Sequence, residues 1–325
     1  MSQPEHRATK PPAHGGGHLS DPTTDLVTAP TGSQSHAPDA PSQRHGSPTR
    51  IIALMNQKGG VGKTTTTVNL GTALARNGHN VLLIDLDPQA HLSLSVGIEP
   101  DDLDKSIYHL LTETDTLAAH VVQQVNKNLG VLPAEVSLAG IETELADHLA
   151  TGHAQTILRN KAGQLAEQFD FVLIDCPPSL GLLTINALTL AREVIVPMQA
   201  HFLALQGLSK LLETISMVRQ GINNQLLVAG IVLCMHESQT ILAGEITRDV
   251  ESFLQQAHDT DLPWNRARLF KPPIRRNIKL AESPSFGQAI FDYAPDSHGA
   301  ADYAALANTI ASHRVHGAST PGPTP

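Results

Sequence analysis

Residues 51–65 constrain this chain more than any other stretch. Five apolar residues, Ile51, Ile52, Ala53, Leu54 and Met55, run straight into Asn56-Gln57-Lys58-Gly59-Gly60-Val61-Gly62-Lys63-Thr64-Thr65. The apolar run predicts a buried strand. A helical pattern follows over about 64–77, with Gly78 as its stop signal. Between the two, Gly59, Gly60 and Gly62 carry no Cβ, so backbone N–H groups can turn inward onto phosphate oxygens. The N-terminus of the following helix adds its partial positive charge. Strand, glycine loop and helix in that order make a phosphate-binding loop. In it Lys63 is expected at the β- and γ-phosphates, with the Thr64 hydroxyl on Mg²⁺. The usual pattern, G-x-x-x-x-G-K-[ST], puts glycine at position 57. This chain has Gln57 there, with Lys58 beside it.

Further apolar runs at 81–85, 129–132, 171–175, 193–197 and 226–233 alternate with helical patterns. Continuous apolar strands separated by helices predict an α/β fold, a doubly wound and mainly parallel sheet with helices on both faces. Aromatic residues are only 3% of the chain against 41% hydrophobic, so the core must be built from Leu, Ile, Val and Ala. Asp175 closes one strand, and Asp85 and Asp87 follow another. In an open α/β sheet that edge is where ligands bind. One Asp ending a strand is usually a cap or turn residue. Three at two strand ends, beside a phosphate loop, point to Mg²⁺ and nucleotide.

Composition narrows the remaining choices. Cys176 and Cys234 are the only cysteines, which excludes a disulfide framework or a four-thiolate metal site and fits a reducing cytoplasm. The longest apolar run, 226–235, is too short to span a bilayer, and the first residues carry no apolar stretch of a signal peptide. Residues 1–49 hold eight Pro, five Gly, twelve Ser or Thr and no aromatic residue, so a disordered tail is expected. Its five His match no metal-ligand spacing, and nothing in it forms a helix-turn-helix. A second tail is expected at 313–325, leaving one domain over 50–312. The net charge of −9 argues against a surface coated in nucleic acid. Yet Arg266, Arg268, Lys271, Arg275, Arg276 and Lys279 fall within residues 264–280 with no acidic residue among them. That segregation is the footprint expected for phosphate-backbone contacts, the plainer reading being a solvated loop with nucleotide contacts of its own.

Four segments together resemble the ParA/Soj family of deviant-Walker partitioning ATPases: residues 56–65, Asp85-Leu86-Asp87-Pro88-Gln89, Asp175-Cys176-Pro177-Pro178-Ser179 and Leu280-Ala281-Glu282-Ser283-Pro284-Ser285-Phe286-Gly287. The resemblance runs through most of residues 50–310. It implies ATP and Mg²⁺ as cofactors and a homodimer that sandwiches two ATP molecules. Gln57, Lys58, Gly59, Gly60, Val61, Gly62, Lys63, Thr64, Thr65 and Pro273 are then the nucleotide contacts. Lys58 becomes the signature lysine that reaches the other subunit's phosphates, Asp87 orients the attacking water, and Thr64, Asp85 and Asp175 hold the Mg²⁺ shell. A ParB-like activating protein, non-specific DNA bound through the cationic stretch, and a cytoplasmic, nucleoid-associated location also follow from it. One departure is Gln239, where the family commonly carries arginine.

Other members of the superfamily fit less well. A membrane-cycling MinD-like ATPase needs a C-terminal basic amphipathic helix, and residues 304–314 supply neither bulky anchors nor a cationic face. An iron–sulfur carrier needs a Cys-x-x-Cys pair, and a tyrosine kinase a tyrosine-rich tail. An orphan ParA-like ATPase positioning a different cargo, such as a protein cluster or a secretion or chemosensory assembly, stays open.

Overall fold

The computed structural model describes residues 48–146, 152–201 and 204–313. Eight strands form one sheet: β1 (Arg50–Leu54), β2 (Val81–Asp85), β3 (Gln123–Asn126), β4 (Leu129–Leu132), β5 (Phe171–Asp175), β6 (Glu193–Gln199), β7 (Leu227–Cys234) and β8 (Arg268–Phe270). Their spatial order is β3-β4-β2-β5-β1-β6-β7-β8. Every neighbouring pair is parallel except β3 with β4. The longer helices are α1 (Lys63–Arg76), α2 (Ile157–Ala166), α3 (Leu182–Leu190), α4 (Ala204–Gly221), α5 (Ile241–Gln256) and α6 (His298–Ser312).

The apolar strands feed two cores at once, because successive side chains leave opposite faces of a sheet. Ile51 and Ala53 of β1 pack with buried residues of α2 to α5, whereas Ile52 and Leu54 pack with α1 and α6. This explains why the central strands read as unbroken apolar runs. The helix expected at about 64–77 is α1, and Gly78 follows it in a left-handed conformation with φ 90°.

Two strands were not expected from the sequence. β3 is polar and mostly exposed, the antiparallel partner of β4 at one edge. β8 lies inside the cationic stretch, so residues 268–270 are edge strand rather than loop. Its approach depends on Gly230, where an added Cβ would stand 2.2 Å from the Arg268 carbonyl oxygen.

Of the two expected tails, residues 1–47 and 314–325 lie outside the described residues. Thr49, assigned to the first tail, is buried, and its hydroxyl donates to the Glu167 carbonyl at 3.3 Å. Next to it Arg50 forks onto Glu193 through Nε–Oε1 and Nη2–Oε2 contacts of 2.8 and 2.6 Å and also donates to the Ile310 carbonyl. A planar fork on a carboxylate is among the stronger side-chain contacts, and this one ties β1, β6 and α6 together. Among the described residues no helix is long and apolar enough to cross a membrane.

Candidate nucleotide and magnesium site

The glycine loop turns between β1 and α1 through two left-handed glycines, Gly60 at φ 71° and Gly62 at φ 93°. Gly62 also lies against Cys234, whose Cβ would be 3.4 Å from an added Cβ. That separation is ordinary van der Waals contact, so it is the left-handed backbone angle that favours glycine there. Lys63 opens α1 and is buried. The Thr64 hydroxyl donates to Asp175 Oδ2 at 2.6 Å, and the Thr67 hydroxyl lies 3.2 Å from Asp175 Oδ1 and 3.0 Å from the Lys63 carbonyl.

Parallel pairing of β2 with β5 sets Asp85 opposite Asp175 at the C-terminal edge of the sheet. Both are fully buried. Burial pushes the Asp85 carboxyl up to about 6. Burial first, and then the neighbouring Asp85 charge, raise Asp175 well above the ordinary carboxylate range, against the pull of Thr64 and Lys63. The two carboxylates have different partners. Asp85 Oδ2 accepts from the Ser93 N–H and hydroxyl at 3.0 and 2.8 Å, and Oδ1 accepts from the Asp87 N–H at 3.2 Å. Three protein donors meet it, and through the Asp87 N–H it braces the loop carrying Asp87. Asp87, half-buried, accepts from the Gln89 N–H and faces the same cavity as the glycine loop.

Ser93 was missed in the sequence. Its hydroxyl also accepts from the Ala134 N–H at 3.1 Å, so it joins the ends of β2 and β4. A serine eight residues beyond Asp85 carries no spacing signal; only the burial of Asp85 reveals the need for it.

The cavity over the loop measures about 980 Å³. Gly59, Gly60, Gly62, Lys63, Thr64 and Thr65 form one wall, Asp87 and Pro88 another, and Met235 with residues 274–278 a third. Its volume suits a nucleotide-sized ligand. Gln57, Lys58, Val61 and Pro273, all expected to contact nucleotide, do not line it. Val61 is buried beneath the loop. The Lys58 ammonium instead lies 2.8 Å from His201 Nε2, in a neighbouring cavity of about 410 Å³ that Gln57 also lines.

For a metal, the donors beside Lys63 are oxygens, the Thr64 hydroxyl and the Asp175 carboxylate, which suit a hard cation. Two buried carboxylates stand near a single buried ammonium, a negative excess that a divalent cation would offset. Among the described residues no three His, Cys, Asp or Glu side chains cluster to hold a metal unaided. Phosphates and water would complete the shell, as is usual for magnesium.

The cationic stretch is not a continuous open strip. Lys271 pairs with Glu251 at 3.0 Å, Arg276 with Glu237 at 2.8 Å and Lys279 with Glu282 at 2.9 Å. Arg275 forks onto the buried Asp302, with a shortest contact of 2.7 Å, and both it and Arg276 line the nucleotide cavity. Arg266 and Arg268 are exposed.

A family model described as an AAA domain matches residues 49–228. The sporulation initiation inhibitor protein Soj of Bacillus subtilis (strain 168) is 39% identical over 264 residues, spanning 81% of this chain and 99% of Soj. This chain belongs to the ParA/Soj family of partitioning ATPases. The chromosome partitioning protein ParA of Myxococcus xanthus (strain DK1622) is 38% identical to this ParA/Soj chain, over 80% of it and 87% of that protein. Solved structures agree in fold. Cobyrinic acid a,c-diamide synthase from Mycobacterium smegmatis with bound ADP and magnesium is 35% identical, with a TM-score of 0.66 over 81% of this chain and 94% of that one. MinD from Pyrococcus horikoshii with Mg-ADP is 26% identical, with a TM-score of 0.62 over 81% and 96%. The ParA/Soj chain thus has relatives in which this fold carries nucleotide with magnesium.

Proposed function

We propose that this ParA/Soj chain is a slow ATPase that binds ATP with Mg²⁺, dimerises on it, holds DNA non-specifically in that state, and releases it when a ParB-like partner stimulates hydrolysis. One observation carries the reading. Lys63 lines its own nucleotide cavity, whereas Lys58 lies outside it. A lysine excluded from its own phosphates is available to a second copy's, where its charge would offset that of the transition state. The residues divide the work. Loop N–H groups and Lys63 bind the phosphates, Thr64 and Asp175 hold Mg²⁺, and Asp87, on the loop fixed by Asp85 and Ser93, orients the attacking water. Bound Mg²⁺ would neutralise the phosphate oxygens as charge develops on them.

Chromosome or plasmid DNA is the favoured cargo because Soj and the chromosome partitioning protein ParA match this chain over most of their own lengths. The DNA surface is assigned to Arg266, Arg268, Lys271 and Lys279, with Arg275 and Arg276 shared with the nucleotide cavity. The exposed pairs Lys271–Glu251 and Lys279–Glu282 are screened by solvent, so a DNA phosphate can displace the carboxylate at little cost. The test is DNA co-sedimentation with ATP, with ADP and without nucleotide, at two salt concentrations. Binding is expected with ATP only and to weaken with salt. Binding indifferent to nucleotide contradicts the switch.

A further inference from the structure

We propose that His201 is a positioning residue that stores Lys58 against its own chain until a second copy draws the lysine away. The proposal rests on the trans role given to Lys58 above. The Lys58 ammonium stands 2.8 Å from His201 Nε2. An ammonium only donates, so Nε2 accepts and the ring is neutral with its proton on Nδ1. The backbone beneath is held as well: the Lys58 N–H donates to Asn56 Oδ1 at 3.0 Å, and Asn56 Nδ2 donates to the Pro197 carbonyl at 2.8 Å. Because β1 and β6 are neighbours, with Leu54 opposite Ile195, the start of the glycine loop and the segment after β6 meet here.

The surroundings of His201 are cationic. Lys58 from the loop and Lys210 from α4 line the same cavity of about 410 Å³, and no carboxylate is among its described lining residues. Burial first, and then the Lys58 charge, hold the imidazole below its ordinary value. The hold on Lys58 is therefore present above that value. It is lost as pH falls through it, because a protonated ring has no acceptor and repels the ammonium. While Lys58 is stored, the fraction of chains able to extend it is reduced, and so is the apparent affinity of one copy for another.

The experiment uses the full chain with ATP and magnesium and follows dimerisation by sedimentation at about pH 5.5 and about pH 7.5, either side of the histidine range. His201→Ala is expected to dimerise roughly threefold more readily at the higher pH, the size expected of one partly exposed polar contact, and to lose the part of the pH dependence due to His201. His201→Gln keeps an acceptor that cannot titrate. It should restore the hold and stay flat with pH, which a merely structural role for the ring does not predict. Independently, the imidazole NMR titration of His201 should move to higher pH in Lys58→Ala, because a neighbouring cation has gone. An unmoved titration overturns the contact. A moved titration with unaltered dimerisation in His201→Ala overturns the positioning role. Wild-type dimerisation and hydrolysis in Lys58→Ala would instead overturn the trans reading beneath it, and the titration separates that failure from a missing contact.

Discussion

At the scale of single residues, the site separates groups that meet the ligand from groups that aim them. Lys63 is buried at the start of α1 and, in the proposed mechanism, belongs to the first kind. Lys63→Ala is expected to abolish ATP binding, read by fluorescent-nucleotide titration, with no nucleotide-dependent dimer remaining. Asp87 is a catalytic residue in the proposed reaction, so Asp87→Ala should still bind ATP while turnover falls about 100-fold, a common cost of losing a group that positions or activates the nucleophile. Normal turnover in that variant would remove Asp87 from the mechanism. Asp85 and Asp175 make a prediction about pH. Both are raised by burial, so the folded chain without nucleotide or metal keeps protons that the unfolded chain releases. Their stabilising contribution is complete below the unfolded carboxylate value. It is lost as pH rises through the folded values, about 6 for Asp85 and higher for Asp175. In EDTA, the melting temperature of wild type relative to Asp175→Asn should therefore fall between about pH 5 and pH 8, and magnesium with ADP should reduce that fall.

At the scale of elements, the parts with strong apolar runs were legible and the weak edges were not. β1, β2, β4, β5, β6 and β7 lie within a residue or two of the runs that predicted them, because a strand buried on both faces has little room for polar residues. β3 has no such run, since it is mostly exposed, and β8 is three residues long amid arginines. The sequence also displayed the charges of the stretch 264–280 without their partners. Glu237, Glu251 and Asp302 come from distant segments, so the pairing that divides the strip exists only in three dimensions. The glycine loop was readable because backbone conformation dictates it; the exit of Lys58 toward His201 was not, because that depends on where the chain runs after β6. β8 gives the element its own test. At Gly230 an added methyl would meet the Arg268 carbonyl and the Phe270 ring, at 2.2 and 2.7 Å. Gly230→Ala should displace β8 and cost about 1–3 kcal/mol in urea unfolding, the range for overpacking a tight site. ADP binding should weaken as well, since residues 274–278 follow β8 into the cavity wall.

At the scale of the whole molecule, the proposed function makes one chain half of a machine. On that proposal it supplies a loop, a metal site and a water-orienting aspartate on one cavity, and its Lys58 stands outside that cavity. The proposed DNA surface lies at the β8 edge and its neighbours. Arg268→Glu should therefore weaken DNA binding in the ATP state while leaving ATP affinity unchanged, because Arg268 is exposed and does not line the nucleotide cavity. Changes at Arg275 or Arg276 should disturb both. The central claim, that Lys58 works across a dimer, is tested most directly by mixing two inactive variants, Lys58→Ala and Asp87→Ala, and measuring ATP hydrolysis. In a mixed dimer the Lys58→Ala chain keeps its own Asp87 and receives Lys58 from its partner. Random pairing then gives one complete site in half of the dimers, so activity should return to roughly a quarter of wild type. A mixture as inactive as either variant alone would contradict a role for Lys58 across the dimer.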